Sequence, residues 1–212
     1  LIETVQGDAG VRKPSLEFLQ ALRQRCTEVG ALLIFDEIQC GMGRTGQIFA
    51  FEHFNVVPDV LALGKALGGG MPIGALVAAQ AHLNQFTHDP MLGHITTFGG
   101  HPMVCAAAAA TVEVLRTEIN WTELEARADL FATHLSKHPK VIAYRRVGAM
   151  FAFDLKDAEE VEKIVKYCLD AGLITFWFLS HPYSFRLSPP LNLSQEEWAH
   201  AQQIILAALD TL

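Results

Sequence analysis

The chain of 212 residues lacks the marks of several common protein classes. Its four cysteines, Cys26, Cys40, Cys105 and Cys168, are scattered and form no C-x-x-C pair. Thiols placed this way fit a reducing compartment, and so a cytoplasmic protein, better than a disulfide framework. Basic residues are outnumbered, 16 Lys and Arg against 23 Asp and Glu, for a net charge of −7. That balance argues against a nucleic-acid partner or an anionic membrane surface. No phosphate-binding G-x-x-x-x-G-K-[ST] loop is present. The only Gly-Lys is Gly64-Lys65, followed by Ala66. The apolar run Leu32 to Phe35 ending in Asp36-Glu37 also matches the metal-binding strand of P-loop ATPases, but that reading needs the loop upstream, and the present chain does not support it. Repeats and low-complexity linkers are absent. The charge-free run from Ala66 to His88 contains Gly68 to Gly70, Pro72 and Gly74, which make it a poor membrane-spanning helix. There is no initiating methionine and no signal-peptide pattern, and LIETVQG reads as entry into the middle of a strand. The expectation is a piece of a longer chain.

What is present is an apolar half, enough for a core if helices and strands stack in layers. Leu1 to Val5 reads as a strand. Ser15 caps a helix that carries Leu16, Leu19, Leu22 and Cys26 on one face and stops at Gly30. Ala31 to Phe35 reads as a strand buried on both faces, giving a β-loop-α-β opening with parallel pairing. Val60 to Leu63 and Ile73 to Ala79 read as further strands. His101-Pro102 opens a helix to about Thr117, whose run Ala106 to Ala110 permits close approach to a neighbour. A boundary falls near Glu118 to Trp121, dividing a first domain, 1–118, from a smaller α+β domain, 119–212. In the second, Asn120 with Glu123 and Ser194 with Glu197 read as capping boxes. Strands are expected at Val141 to Val147, Met150 to Leu155, Leu173 to Leu179 and Ser184 to Leu187, with a helix from Ala158 to Cys168. Trp121, Trp177 and Trp198 are read as core or interface residues.

The chemistry concentrates between Leu32 and Gly70. Asp36 ends one apolar strand, and Lys65 follows another and precedes Gly68-Gly69-Gly70. In open α/β sheets, ligands sit beyond the carboxyl ends of strands. Each residue alone also has a plain reading, a strand-end acid in an ion pair and a solvated lysine. Together, an amine in an apolar pocket that can form a Schiff base and a carboxylate for a pyridinium nitrogen are the protein half of pyridoxal-phosphate chemistry. A charge pair at ~3 Å in an effective dielectric of ~20 is worth roughly 5 kcal/mol, enough to keep a pyridine nitrogen protonated. No metal site is read. His134 and His138 have ligand spacing, i and i+4, but sit beside the helix-ending Pro139 and are read as surface histidines.

The chain resembles class III pyridoxal-phosphate-dependent aminotransferases, the group of acetylornithine, ornithine and 4-aminobutyrate aminotransferases. The resemblance covers almost the whole chain. It rests on Glu3 to Gly10 (ETVQGDAG), Leu33 to Gly46 (LIFDEIQCGMGRTG), Pro58 to Gly74 (PDVLALGKALGGGMPIG), Thr96 to Pro102 (TTFGGHP) and Arg186 to Leu191 (RLSPPL). It implies the fold type I α/β architecture, with part of the large cofactor domain followed by a small C-terminal α+β domain. It implies pyridoxal 5'-phosphate, with Lys65 as the Schiff-base and proton-shuttling lysine, Asp36 on the pyridine nitrogen, Gln39 on the ring hydroxyl and Ile38 on the ring face. Thr97 would bind the phosphate of the neighbouring subunit's cofactor in a homodimer with shared sites, and Arg186 a substrate carboxylate. The implied partners are an amine or ω-amino acid and a 2-oxo acid, 2-oxoglutarate foremost, in ping-pong transamination. An aminomutase of the same fold, or an inactive fragment that folds or pairs, is the rival reading. The family usually has Glu-Pro where this chain has Glu3-Thr4. It often has Glu where this chain has Asp8. A gate between that residue and Arg186 is thereby put in doubt, since Asp8 is one methylene shorter. The family's phosphate loop and ring-stacking aromatic would precede Leu1, so residues 1–212 alone are expected to be an incomplete site.

Overall fold

A computed structural model describes residues 1–212. The chain forms two compact units. One comprises Leu1–Thr4, Pro14–Met42 and Ile48–Glu118, and the other Val5–Lys13, Gly43–Gln47 and Ile119–Leu212.

The first unit is built on a four-stranded sheet in the order β1 (Ile2–Glu3), β2 (Ile34–Asp36), β3 (Val60–Leu63), β4 (Ala75–Ala78). The first three strands are parallel, with Ile2 opposite Phe35 and Phe35 opposite Leu61, and β4 is antiparallel to β3. Helix α1 (Leu16–Val29) makes the crossover from β1 to β2. Ser15 Oγ accepts from Phe18 N at 3.1 Å at its start, and Gly30 adopts the left-handed conformation at its end. Asp59 then aligns the starts of β2 and β3. Its carboxylate accepts from Leu33 N at 2.6 Å and Arg23 of α1 at 2.7 Å. The Leu33 amide, followed by Arg23, holds the Asp59 carboxyl below its ordinary range.

Two expectations shift here. The strand expected at Ala31 to Phe35 starts later and ends on Asp36, and only Leu33 and Phe35 along it are fully buried. The strand expected at Ile73 to Ala79 is β4, whose Leu76 and Val77 are more than half exposed. It lies at the sheet's edge, where an apolar composition does not guarantee burial. Beyond it come the short helix α2 (Gln80–Leu83) and α3 (Pro102–Thr117), which His101 caps through Nδ1. No helix in the chain is long and apolar enough to cross a membrane.

The second unit is an antiparallel sheet covered by helices. The strands lie in the order β5 (Ala143–Val147), β6 (Met150–Asp154), β8 (Ser184–Leu187), β7 (Phe176–Trp177). Helices α4 (Trp121–Ser136), α5 (Ala158–Asp170) and α6 (Gln195–Leu209) supply the apolar cover, with Leu124, Ala128, Phe131 and Leu135 of α4 all buried. Phe131, Phe151 and Trp198 meet edge to face, at ring separations of 5.0 to 6.0 Å. Asn120 caps α4, and Ser194 with Glu197 forms a complete capping box on α6. Trp198 belongs to the core as expected, but Trp177 is 43% exposed. It lies on the two-residue edge strand β7, stacked on Phe176 at 4.3 Å.

Candidate active site

Asp36 and Lys65 stand at the carboxyl ends of neighbouring parallel strands. Asp36 is the last residue of β2 and lies opposite Ala62 of β3. Glu37 N continues the ladder one step further, donating to Ala62 O at 2.9 Å. Strand β3 ends at Leu63, Gly64 follows in an extended conformation, and Lys65 opens a 3₁₀ turn over Lys65–Gly68. Lys65 has a φ of +45°, the left-handed region that a residue with a Cβ enters at a cost of about 1–2 kcal/mol. Strain of this kind collects at functional sites.

The two ends are also joined by packing. A Cβ on Gly64 would lie 3.3 Å from Ile38 Cγ2, so the Ile38 side chain rests against the backbone that presents Lys65. Asp36 Oδ1 accepts from Ile38 N at 3.0 Å, which turns the chain at the end of β2. Neither Asp36 nor Lys65 has an ion-pair partner in the chain. Both side chains therefore keep most of their hydrogen-bonding capacity unused within the chain, near the exposed Ile38. Gln39 is partly exposed in the turn that follows.

Helix α3 supports this corner from below. Gly69 has a φ of +56°, and a Cβ there would stand 2.4 Å from Thr111 Oγ1. Only a glycine lets α3 approach the Lys65–Gly68 turn this closely. Thr97 belongs to the same unit but lies on a segment, 83–103, whose every residue is exposed. The structure does not give its hydroxyl a hydrogen-bond partner within the chain.

Asp8 and Arg186 both belong to the second unit. The Arg186 guanidinium lies over the Phe176 ring at 5.0 Å and the Phe178 ring at 5.9 Å, a cation–π shelf. Asp8 is engaged elsewhere. It accepts from Leu179 N at 3.1 Å, Ser180 N at 3.2 Å and Ser180 Oγ at 2.8 Å. The Ser180 hydroxyl holds its carboxyl below the ordinary range, helped by the two amides and the charge of Arg186 and opposed by burial. No ion pair joins Asp8 to Arg186 in this conformation. His134 and His138 do not converge on a common point, because His134 pairs with Gln202 and His138 with Asp210.

One residue of this corner escaped the sequence reading. Glu37 is fully buried and accepts from Thr4 Oγ1 at 2.9 Å, Ala50 N at 2.7 Å and Phe51 N at 2.7 Å. The only signal for it was the Asp-Glu pair at a strand end. The hydroxyl and amides that it binds are 33, 13 and 14 residues away.

A profile described as Aminotransferase class-III matches residues 1–209. The chain belongs to that family. Class III aminotransferases are pyridoxal-phosphate enzymes of fold type I. The chain is 39% identical to a putrescine aminotransferase of Pectobacterium atrosepticum, covering 100% of this chain and 46% of that protein. An ornithine aminotransferase of Toxoplasma gondii, described with partial occupancy of pyridoxal phosphate at its active site, superposes with a TM-score of 0.88 at 29% identity. That match covers 99% of this chain and 50% of the other. An aminotransferase of Bacillus anthracis gives 0.90 at 27% identity, over 100% of this chain and 52% of its own. The chain thus spans about half the length of the relatives it matches.

Proposed function

We propose that the protein containing this chain is a pyridoxal-phosphate-dependent transaminase. It would move an amino group from an amine or ω-amino acid to a 2-oxo acid, with 2-oxoglutarate as the acceptor, by a ping-pong mechanism. The observation that carries this reading is the corner itself. A carboxylate and an amine, both without ion-pair partners, end adjacent parallel strands, and Ile38 rests against Gly64 between them.

The corner suits a flat, cationic heteroaromatic ring. Asp36 has one oxygen bonded to Ile38 N and accepting capacity left for a ring N–H. Ile38, 37% exposed, offers an apolar face, and Gln39 an amide for a ring hydroxyl. Lys65 is the amine that would hold the group covalently. Bound there, pyridoxal phosphate supplies an aldehyde that captures amines and a ring that draws charge away from the donor carbon. The chain's own residues do the rest. Asp36 holds the proton on the ring nitrogen. Lys65 Nζ moves a proton to and from the amine-bearing carbon. Ile38 keeps water from one side. Arg186, braced on Phe176 and Phe178, receives a carboxylate, for which a guanidinium fork is geometrically suited. Thr97 binds the cofactor phosphate of the other subunit in a homodimer.

The test is the visible absorbance of the full-length protein with pyridoxal phosphate. The wild type is expected to show the band of lysine-bound cofactor, and Lys65→Ala to lose it. A full-length wild type without that band would sink the reading.

A further inference from the structure

We infer that Glu37, held by Thr4, is a positioning residue for Asp36. The inference rests on the cofactor reading above. Successive side chains leave a strand on opposite faces. Glu37 N extends the β2 ladder by one bond, to Ala62 O, and burial alternates across this end: Asp36 is half-buried and Ile38 exposed, whereas Glu37, between them, points into the unit. There it is fully enclosed, as is Thr4. Its carboxylate gathers three donors from two other parts of the chain. Thr4 follows β1, and Ala50 and Phe51 open a 3₁₀ turn over Ala50–Phe54. Its backbone is fixed as well, by the bond to Ala62 O and by accepting from Gly41 N at 3.0 Å. A residue tied down at backbone and side chain cannot roll about the strand axis, so its neighbours on the opposite face cannot either.

A buried carboxylate is costly unless fully bonded, and burial pushes the Glu37 pKa up in spite of its three donors. Apolar packing would stabilise this site as well or better. What the bonded carboxylate adds is direction, since each donor fixes one lone pair. Asp36 needs that direction, because a ligand carboxylate misplaced by ~1 Å loses on the order of 10²-fold in effect. Thr4 is the adjustable part of the arrangement. Its hydroxyl is the single side-chain donor among the three and the single link from Glu37 to the residue after β1.

The experiment uses the full-length protein in cofactor-free and loaded forms. Thr4→Val keeps shape and removes the donor, Thr4→Ser restores it, and Glu37→Gln places an amide N–H against a backbone N–H. Ile164→Ala, in the core of the second unit, controls for loss of stability alone. Three quantities are read: the dissociation constant for pyridoxal phosphate, the pH profile of the bound cofactor's spectrum, and hydrogen exchange at Ile38, Ala50 and Phe51 without cofactor. Thr4→Val is expected to weaken cofactor binding about tenfold and displace the pH profile, with faster exchange at those amides. Thr4→Ser is expected to stay within about twofold of wild type, as is Ile164→Ala in cofactor affinity. If Thr4→Val speeds exchange but leaves affinity and pH profile like those of Ile164→Ala, the pair is merely structural and the inference is overturned. Should Glu37→Gln fail to fold, the two Thr4 variants decide. A wild type that does not bind the cofactor would instead overturn the functional reading beneath it.

Discussion

Gly69→Ala tests how closely α3 sets the position of the lysine turn. Two costs add. At φ +56° an alanine is strained by about 1 kcal/mol relative to glycine. Its Cβ would also lie 2.4 Å from Thr111 Oγ1, and that oxygen is held in place by donating to Ala107 O at 2.9 Å. Relieving an overlap of this kind costs about 1–3 kcal/mol. The sum is about 2–4 kcal/mol of stability in the first unit. Thr111→Ala removes the offending atom. The next neighbours of the added Cβ, Ala107 O and Thr111 Cβ, are at 3.8 Å, an ordinary contact. In that background Gly69→Ala should cost only about 1 kcal/mol, leaving a coupling of about 1–3 kcal/mol between the two positions. Trp121, Trp177 and Trp198 all lie in the second unit, so fluorescence would not report the change. Hydrogen exchange at the amides of α3 and of Lys65–Gly68 would, measured on the four proteins of the cycle. Equal costs in both backgrounds, or a single-variant cost below about 0.5 kcal/mol, would refute the packing argument.

Other outcomes are expected from particular residues. Arg186→Lys keeps the charge but loses the fork and the shelf on Phe176 and Phe178, so the KM for a dicarboxylate acceptor should rise about 10- to 100-fold with kcat much less affected. Unchanged acceptor kinetics would remove Arg186 from the site. Burial raises the Asp154 pKa, but the bonds from Arg145 and Ser184 more than offset it and hold the group below its ordinary value. A depressed folded-state pKa stabilises above the unfolded value of about 3.9 and is lost as pH falls through the folded value, so the second unit should weaken below about pH 4. Acid unfolding followed by tryptophan fluorescence should show this component in the wild type and not in Asp154→Asn. Burial pushes the Cys168 thiol up to about 11, whereas Cys105 is exposed. At about pH 8 a thiol reagent should label Cys105 readily and Cys168 only on unfolding; rapid labelling of Cys168 in the folded protein would contradict its burial.

Local signals carried much of the fold. Ser15, Gly30 and Ser194 mark helix ends because a cap is a bond between residues a few positions apart. The β-loop-α-β opening followed from two apolar runs separated by an amphipathic helix. Edges were not legible in this way. Leu76, Val77 and Trp177 have the composition of buried strand residues but lie exposed on edge strands, since composition does not reveal which neighbour will cover a face. Thr4 is a similar case. As a departure from the usual family pattern it could be read as neutral, and only the fold shows its hydroxyl on a buried carboxylate.

By itself, the sequence determined the chemical groups: an aspartate and a lysine closing two apolar runs, an arginine, a threonine loop, and the order in which they come. Those are properties of short windows, and short windows also decide strand ends and caps. Tertiary structure alone decided what each group is free to do. It placed β2 beside β3 in parallel register, so that Asp36 and Lys65 stand at the same end of the sheet. It laid Ile38 against Gly64, gave Asp8 to Leu179 and Ser180, and left Arg186 on its aromatic shelf. It also buried Glu37 among donors from β1's end and from the Ala50–Phe54 turn. The physical reason is range. Capping and strand propensity act over a few residues, whereas the availability of a carboxylate or a guanidinium depends on partners that only packing brings within about 3 Å.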